Sequence, residues 1–231
     1  MRYMGQACLM SEFVISVAHS KPMSLVSYHY TMRMLGGLWF LLLAVLTAWT
    51  ACDLGRTYDF LLAKGCLVLF YLMLCVLLVT RRSPAKSRAR GIFPRLAAFF
   101  GTYAPWTMIF FPHTDYGMFN HLSIICLVVG MLLAIIAVSY LGQSFSLTPQ
   151  AHTLVRSGPY HWLRHPLYIS EEIATLGTLF QYLSLFPALI FLAHIALQVS
   201  RIVYEEKLLH QTFPEYAHYA TSSWRLIPLV W

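Results

Sequence analysis

Between Gly142 and Pro166 the chain reads GQSFSLTPQAHTLVRSGPYHWLRHP, a polar segment with three His, two Arg and three Pro set in an otherwise apolar sequence. Glu171 and Glu172 follow within two helical turns. An ionised side chain at the centre of a membrane helix costs roughly 3 kcal/mol on insertion, so carboxylates in such a place call for a role. Pro166 suits the first position of a helix, where its missing N–H is an orphan anyway. The free backbone N–H groups of that first turn form an anion site on which a ligand carboxylate could rest. Tyr168 lies three residues before Glu171 and four before Glu172 and shares a face in part with each. The two glutamates diverge by about 100° and cannot face one ligand equally. Further on come Arg201, Tyr204, Glu205 and Glu206. Their spacing predicts an Arg201–Glu205 pair one turn apart, and a carboxylate near the membrane surface also offers an acceptor to a ligand's hydroxyl or amino group.

Other chemistries find weaker support. His152, His161 and His165 lack the spacing of a helical metal pair, although His161 and His165 are four apart across a Pro-rich turn; no metal site is expected, there or at His210 and His218. Cys8, Cys52, Cys66, Cys75 and Cys126 are scattered without a C-x-x-C pair and are expected to be free, small apolar residues.

These groups need a frame, and the composition says which. The 231 residues are 58% hydrophobic and 11% charged, with a mean hydropathy of +0.62. A soluble domain carries about 25% charged residues. So few charges cannot solvate a globular surface, and the surrounding solvent is mostly lipid. Trp and Tyr gather near the ends of the apolar runs, where amphipathic rings suit the headgroup layer. The net charge of +7 is read as a membrane-topology signal and not as nucleic-acid binding.

Apolar runs at 35–51, 61–80, 96–111 and 119–141 predict four transmembrane helices, the third interrupted by Pro105. Two more, 167–182 and 185–203, are almost contiguous and predict a tight helical hairpin. The expected fold is an all-α membrane bundle of about six transmembrane helices. With the N-terminus inside, the inner segments hold Arg2, Lys21, Arg33, Arg81, Arg82, Lys86, Arg88, Arg90, Arg95, Arg156, Arg164, Arg201, Lys207 and Arg225, while Arg56 and Lys64 alone fall outside. That asymmetry predicts six crossings with both termini in the cytosol. The cations of 81–95 are read first as a topology anchor and second as a contact for anionic headgroups. Residues 1–34 lack the sustained core of a secretory signal and are expected to form a cytosolic or interfacial arm. The organisation is thus an arm over 1–34, four transmembrane helices over 35–141, and a C-terminal cofactor-binding region over 142–231. Residues 229–231 carry no prenylation cysteine, so the chain is not expected to be a prenylated target itself.

Several pieces of the C-terminal region carry a family resemblance. They are Gly142-Gln143-Ser144-Phe145-Ser146, Leu154-Val155-Arg156-Ser157-Gly158-Pro159-Tyr160 and Arg164-His165-Pro166-Leu167-Tyr168. Glu205-Glu206 follow with Leu209, Phe213, Glu215, Tyr216 and Tyr219, then Arg225 and Pro228. In this order and spacing they resemble the isoprenylcysteine carboxyl methyltransferase and phospholipid methyltransferase superfamily of membrane enzymes, over about two fifths of the chain. The resemblance implies an S-adenosylmethionine-dependent methyltransferase whose cofactor enters from the cytosol. It implies that Val155, Gly158, Tyr160, Arg164, His165, Pro166, Tyr168, Glu205 and Glu206 surround that cofactor, and that a lipophilic acceptor arrives sideways from the bilayer. Ser170, Pro214 and the Glu171–Glu172 pair depart from the family's pattern.

Methyl transfer is an in-line displacement, so an enzyme gains most by aligning the reactants and excluding water. For a carboxylate acceptor no base is needed, and Arg201 could hold the anion with its planar fork. For an amine or hydroxyl acceptor a base is needed, and Glu171, Glu172 or His165 are the candidates. The acceptor stays open between a prenylcysteine carboxylate and another lipid. Two alternatives remain beside the methyltransferase: an NADPH-dependent membrane reductase of the sterol-reductase type, and a non-enzymatic membrane carrier. Partners are expected to be the bilayer and a lipophilic or prenylated acceptor, with no nucleic acid; the oligomeric state is not legible.

Overall fold

A computed structural model describes residues 23–51, 58–80, 85–113 and 117–228. The expectations for residues 1–22, for Arg56, Arg81, Arg82, Cys8 and Cys52, and for residues 229–231 lie outside the described residues. The bundle consists of α1 (Met23–Ala51), α2 (Tyr58–Thr80), α3 (Phe93–Tyr103), α4 (Gly117–Leu141), α5 (Pro166–Gln181), α6 (Leu185–Thr212) and a short α7 (Tyr216–Ser222). Three 3₁₀ turns intervene, Ala104–Phe110, Gly142–Ser144 and Gly158–His161. The architecture is the all-α membrane bundle expected.

The count of six crossings is not confirmed. Among the described residues four helices are long and apolar enough to cross a membrane: Tyr30–Ala51, Leu61–Thr80, Gly117–Ser144 and Leu185–Thr212. The run at 96–111 falls short because α3 stops at Tyr103 and Pro105 enters a tighter 3₁₀ turn. With 16 residues, α5 reaches only about 24 Å, less than about 30 Å of hydrocarbon. The sixth helix is longer than its apolar run and continues through its polar end to Thr212. At the other end of the chain α1 begins at Met23, so the boundary drawn at residue 34 falls inside a helix.

Small side chains decide which helices touch. On α4 the buried residues are Ser123, Gly130, Ala134, Ala137 and Val138, and on α5 they include Ser170, Ala174 and Gly177. This is the small-residue interface by which membrane helices approach closely. A Cβ on Gly130 would lie 2.6 Å from the backbone nitrogen of Ala174, and one on Gly177 would lie 2.8 Å from the carbonyl of Ser123. Helix α6 rests mainly on α3 and meets α5 more sparingly, through the polar side chains described below. Phe40 and Leu43 of α1, Phe70, Tyr71 and Leu74 of α2, Ala134 and Val138 of α4, and Phe145 form the main apolar core.

Two polar features fasten the ends. Arg33 donates from Nε to the carbonyl of Leu78 at 3.1 Å and from Nη2 to that of Val79 at 3.0 Å, satisfying orphan carbonyls at the end of α2. Strand β1 (Ser87–Arg88) pairs antiparallel with β2 (Gln150–Ala151), with Ser87 opposite Ala151. The cationic loop is thereby tied to the segment that precedes the site. Cys66, Cys75 and Cys126 are free.

Candidate functional site

His165 occupies the N-cap position of α5 but makes no capping bond. Its ring instead enters the bundle and is almost fully buried. Nε2 lies 3.4 Å from Glu206 Oε1 and Nδ1 3.9 Å from Glu205 Oε2. Two motifs some forty residues apart in sequence meet here because the α5–α6 turn returns the chain to the same end of the bundle.

Glu206 is the hub of this meeting. Arg164 Nε approaches its Oε1 at 3.2 Å and Arg225 Nη2 its Oε2 at 2.8 Å. With both oxygens engaged and its side chain 7% exposed, this carboxylate organises its neighbours and is not open to a ligand. Glu205 is the more accessible of the pair. Its Oε1 accepts the Tyr168 hydroxyl at 2.5 Å.

A turn further into the bundle, Arg201 leaves the Glu205 expected of it. A surface i, i+4 pair contributes only about 0.3–0.5 kcal/mol, whereas a buried guanidinium must satisfy several donors. Nη1 donates to Gln198 Oε1 at 2.8 Å and lies 3.9 Å from Glu171 Oε2, and Nη2 reaches the carbonyl of Leu147 at 3.4 Å. The Tyr168 ring stacks beneath it, 4.9 Å from Cζ to the centroid. Arg201, counted above among the cations of the inner segments, is therefore a buried residue of the bundle interior. Gln198 Nε2 donates to Glu171 Oε2 at 2.6 Å, and Glu172 turns away to His194 at 3.3 Å.

Gln198 and His194 were missed in the sequence. The signal was available: His194, Gln198, Arg201 and Glu205 recur at intervals of four, three and four along one apolar helix, which places all four on one face.

The residues after α6 strap the site. The Arg164 backbone N–H donates to the carbonyl of Trp224 at 2.8 Å, and the Trp224 N–H to that of Trp162 at 2.9 Å. Arg164 Nη1 also donates to the carbonyl of Ala220 at 3.2 Å. The buried Tyr219 hydroxyl donates to the carbonyl of Tyr160 at 2.5 Å. Burial pushes the Tyr219 phenol up to about 12 and raises those of Tyr160 and Tyr216 as well, so all three remain neutral. Tyr219→Phe is expected to cost about 1–2 kcal/mol by leaving that carbonyl unpaired, read as a lower melting temperature in detergent. An unchanged melting temperature would contradict the strap.

A cavity of about 1160 Å³ joins these groups to the apolar interior. Val155, Tyr160, Arg164, His165, Tyr168, Glu171, Arg201 and Glu205 line it, and Phe40, Leu43, Phe70, Leu74 and Met131 continue it between α1, α2 and α4. Gly158, Pro166, Glu172 and Glu206 are not on its wall. Gly158 acts on the backbone: its φ of +59° suits glycine, and a Cβ there would collide with the Tyr140 ring.

Residues 123–211 match the isoprenylcysteine carboxyl methyltransferase (ICMT) family. The matched ICMT segment runs from α4 through the polar connection to the last turn of α6, and so contains every residue of the cluster except Arg225 and the strap. A similar curated protein is the cobalt-zinc-cadmium resistance protein CzcN of Cupriavidus metallidurans, 39% identical over 71 residues. That alignment covers 30% of this chain and 32% of CzcN, so the chain spans about a third of the relative's length.

Proposed function

We propose that this protein is a membrane methyltransferase that uses S-adenosylmethionine to methylate a lipophilic acceptor, either isoprenylcysteine-carboxylate-like or another lipid. The observation that carries the reading is one cavity, polar at the ICMT-matched end and apolar through the bundle. Its volume exceeds the roughly 300–1,000 Å³ of an ordinary ligand pocket, which leaves room for a cofactor and a lipophile together. The donor set fits this cofactor. Glu205 accepts from ribose hydroxyls or the ammonium group, and Arg164 supplies positive charge for its carboxylate.

When bound, the cofactor supplies an electrophilic methyl group on a sulfonium. The protein's part is positioning. Tyr168 fixes Glu205 by its hydroxyl and supports Arg201 by its ring, so cofactor and acceptor ends of the cavity share one rigid element. Apolar walls exclude water from the transfer and hold the acceptor in line. On this reading the polar end faces the cytosol, the side on which the Lys and Arg residues gather.

Labelled methyl transfer from S-adenosylmethionine into a membrane-lipid extract, with identification of the product, tests the class and the acceptor together. The purified protein in detergent is expected to bind the cofactor with micromolar affinity. No calorimetric heat with S-adenosylmethionine, alongside clear NADPH binding, would replace this function with a reductase.

A further inference from the structure

We infer that the acceptor's nucleophilic atom carries a proton, as in an amine, hydroxyl or thiol, and that Glu171, held by Gln198 and Arg201, accepts that proton. The inference rests on the methyltransferase reading above and names the acceptor class within it. It departs from a carboxylate acceptor clamped by Arg201.

The guanidinium is poorly placed for such a clamp. One face stacks on Tyr168, Nη1 is shared between Gln198 and Glu171, and Nη2 points to the Leu147 carbonyl. Its side chain is only 6% exposed, against 29% for Glu171 and 24% for Glu205. Gly101 backs its aliphatic stem, because a Cβ there would lie 3.2 Å from Arg201 Cδ. Beside Arg201 the carboxylates of Glu171 and Glu205 are therefore the more open groups on the cavity wall. An anionic acceptor brought to Arg201 would meet the Glu171 carboxylate beside it, whereas an N–H, O–H or S–H group finds an acceptor waiting.

Elimination isolates Glu171 among the carboxylates of the cluster and His165. Both His165 nitrogens face carboxylates. Glu172 lies off the cavity wall and against His194, and Glu206 is off the wall with both oxygens engaged. Glu205 accepts the Tyr168 hydroxyl at the cofactor end. Glu171 lines the cavity, and only its Oε2 is held by Gln198 and Arg201, which leaves Oε1 without a hydrogen-bond partner among the described residues. Gln198 fixes the carboxylate plane: its amide donates to Glu171 and accepts from Arg201, so it cannot flip without breaking both bonds.

In the transfer, the acceptor's lone pair forms the bond to the methyl carbon and the carbon–sulfur bond breaks to leave a neutral thioether. The acceptor's proton passes to Glu171 Oε1. No further reactant is needed. General-base assistance contributes typically 10²–10⁴-fold to a rate.

The test uses the full chain in detergent with three probes that share one chain: farnesylamine, farnesol and S-farnesylthiopropionate. Without cofactor, equilibrium dialysis is expected to show at least tenfold tighter binding of the amine or the alcohol than of the carboxylate. With S-adenosylmethionine, kcat/KM for labelled transfer should follow the same order. Glu171→Gln should lower kcat on the protic probe at least hundredfold while the cofactor Kd stays within twofold. Glu171→Asp keeps the charge beside Arg201, and with it the fold, but withdraws the carboxylate; it should lower kcat at least tenfold. Gln198→Met should lower kcat with KM within threefold. Preference for the carboxylate probe, or an undiminished kcat in either Glu171 variant, overturns the acceptor assignment and leaves the methyltransferase standing. Failure of the unaltered protein to bind S-adenosylmethionine overturns both.

Discussion

Glu206→Ala is expected to lower the stability of the protein by about 3–5 kcal/mol and to weaken S-adenosylmethionine binding at least tenfold, although Glu206 is off the cavity wall. The size of the effect follows from what remains. Arg164 and Arg225 lose the carboxylate that compensates them at 3.2 and 2.8 Å, and His165 loses its Nε2 partner at 3.4 Å. Removing one member of a buried ionic group costs more than the group contributes as a whole, because the surviving charges stay desolvated. A double-substitution cycle separates this from lost packing. Glu206→Ala combined with Arg225→Ala removes one of the cations that Glu206 compensates and should recover about 0.5–3 kcal/mol relative to the sum of the single changes. Strict additivity of the two melting-temperature shifts would show that Glu206 does not act through this cluster.

The second large effect is expected far from any ligand. Gly130→Ala adds one methyl group, yet that Cβ would stand 2.6 Å from the nitrogen and 2.9 Å from the Cα of Ala174. Neither atom can rotate away, so α4 and α5 must separate by close to 1 Å to reach ordinary contact. Overpacking of this kind costs about 1–3 kcal/mol. Its catalytic cost is larger. Ala174 is one turn beyond Glu171 on the same helix, so the shift displaces Glu171 and Tyr168 relative to Arg201 and Gln198. A displacement of about 1 Å can cost roughly 10²-fold in rate. Labelled-methyl turnover should fall about that far, with a modest loss in melting temperature. Unchanged turnover together with a lowered melting temperature would show that the α4–α5 contact supports the fold without placing the site.

The sequence revealed the frame more readily than the wiring. Hydrophobic runs locate the helices because each must hide its backbone from lipid, and the runs at 35–51, 61–80 and 119–141 correspond to α1, α2 and α4. Pro105 was visible, but how early α3 would yield to a 3₁₀ turn depends on packing. The encounter of His165 with Glu205 and Glu206 followed from the order of motifs and a short turn between two helices. Partner choice did not follow. Arg201 has a glutamate one turn away and takes a glutamate from another helix, because inside the bundle the number of satisfied donors outweighs sequence proximity. Glu171 and Glu172 are adjacent in the chain and diverge in space, one to Gln198 and Arg201, the other to His194. Their differing roles became legible only with α6 in place.

The dependence of Glu206 on Arg225 also bears on the biogenesis of the protein. Among the described residues every long helix precedes residue 216, whereas the strap and its arginine follow it. A nascent polypeptide can therefore integrate these long helices and still lack the clasp at the end of the bundle that holds His165 and Glu206. Insertion of these helices and closure of the clasp are then successive events, and a chain halted between the two would be embedded with Glu206 lacking its Arg225 partner.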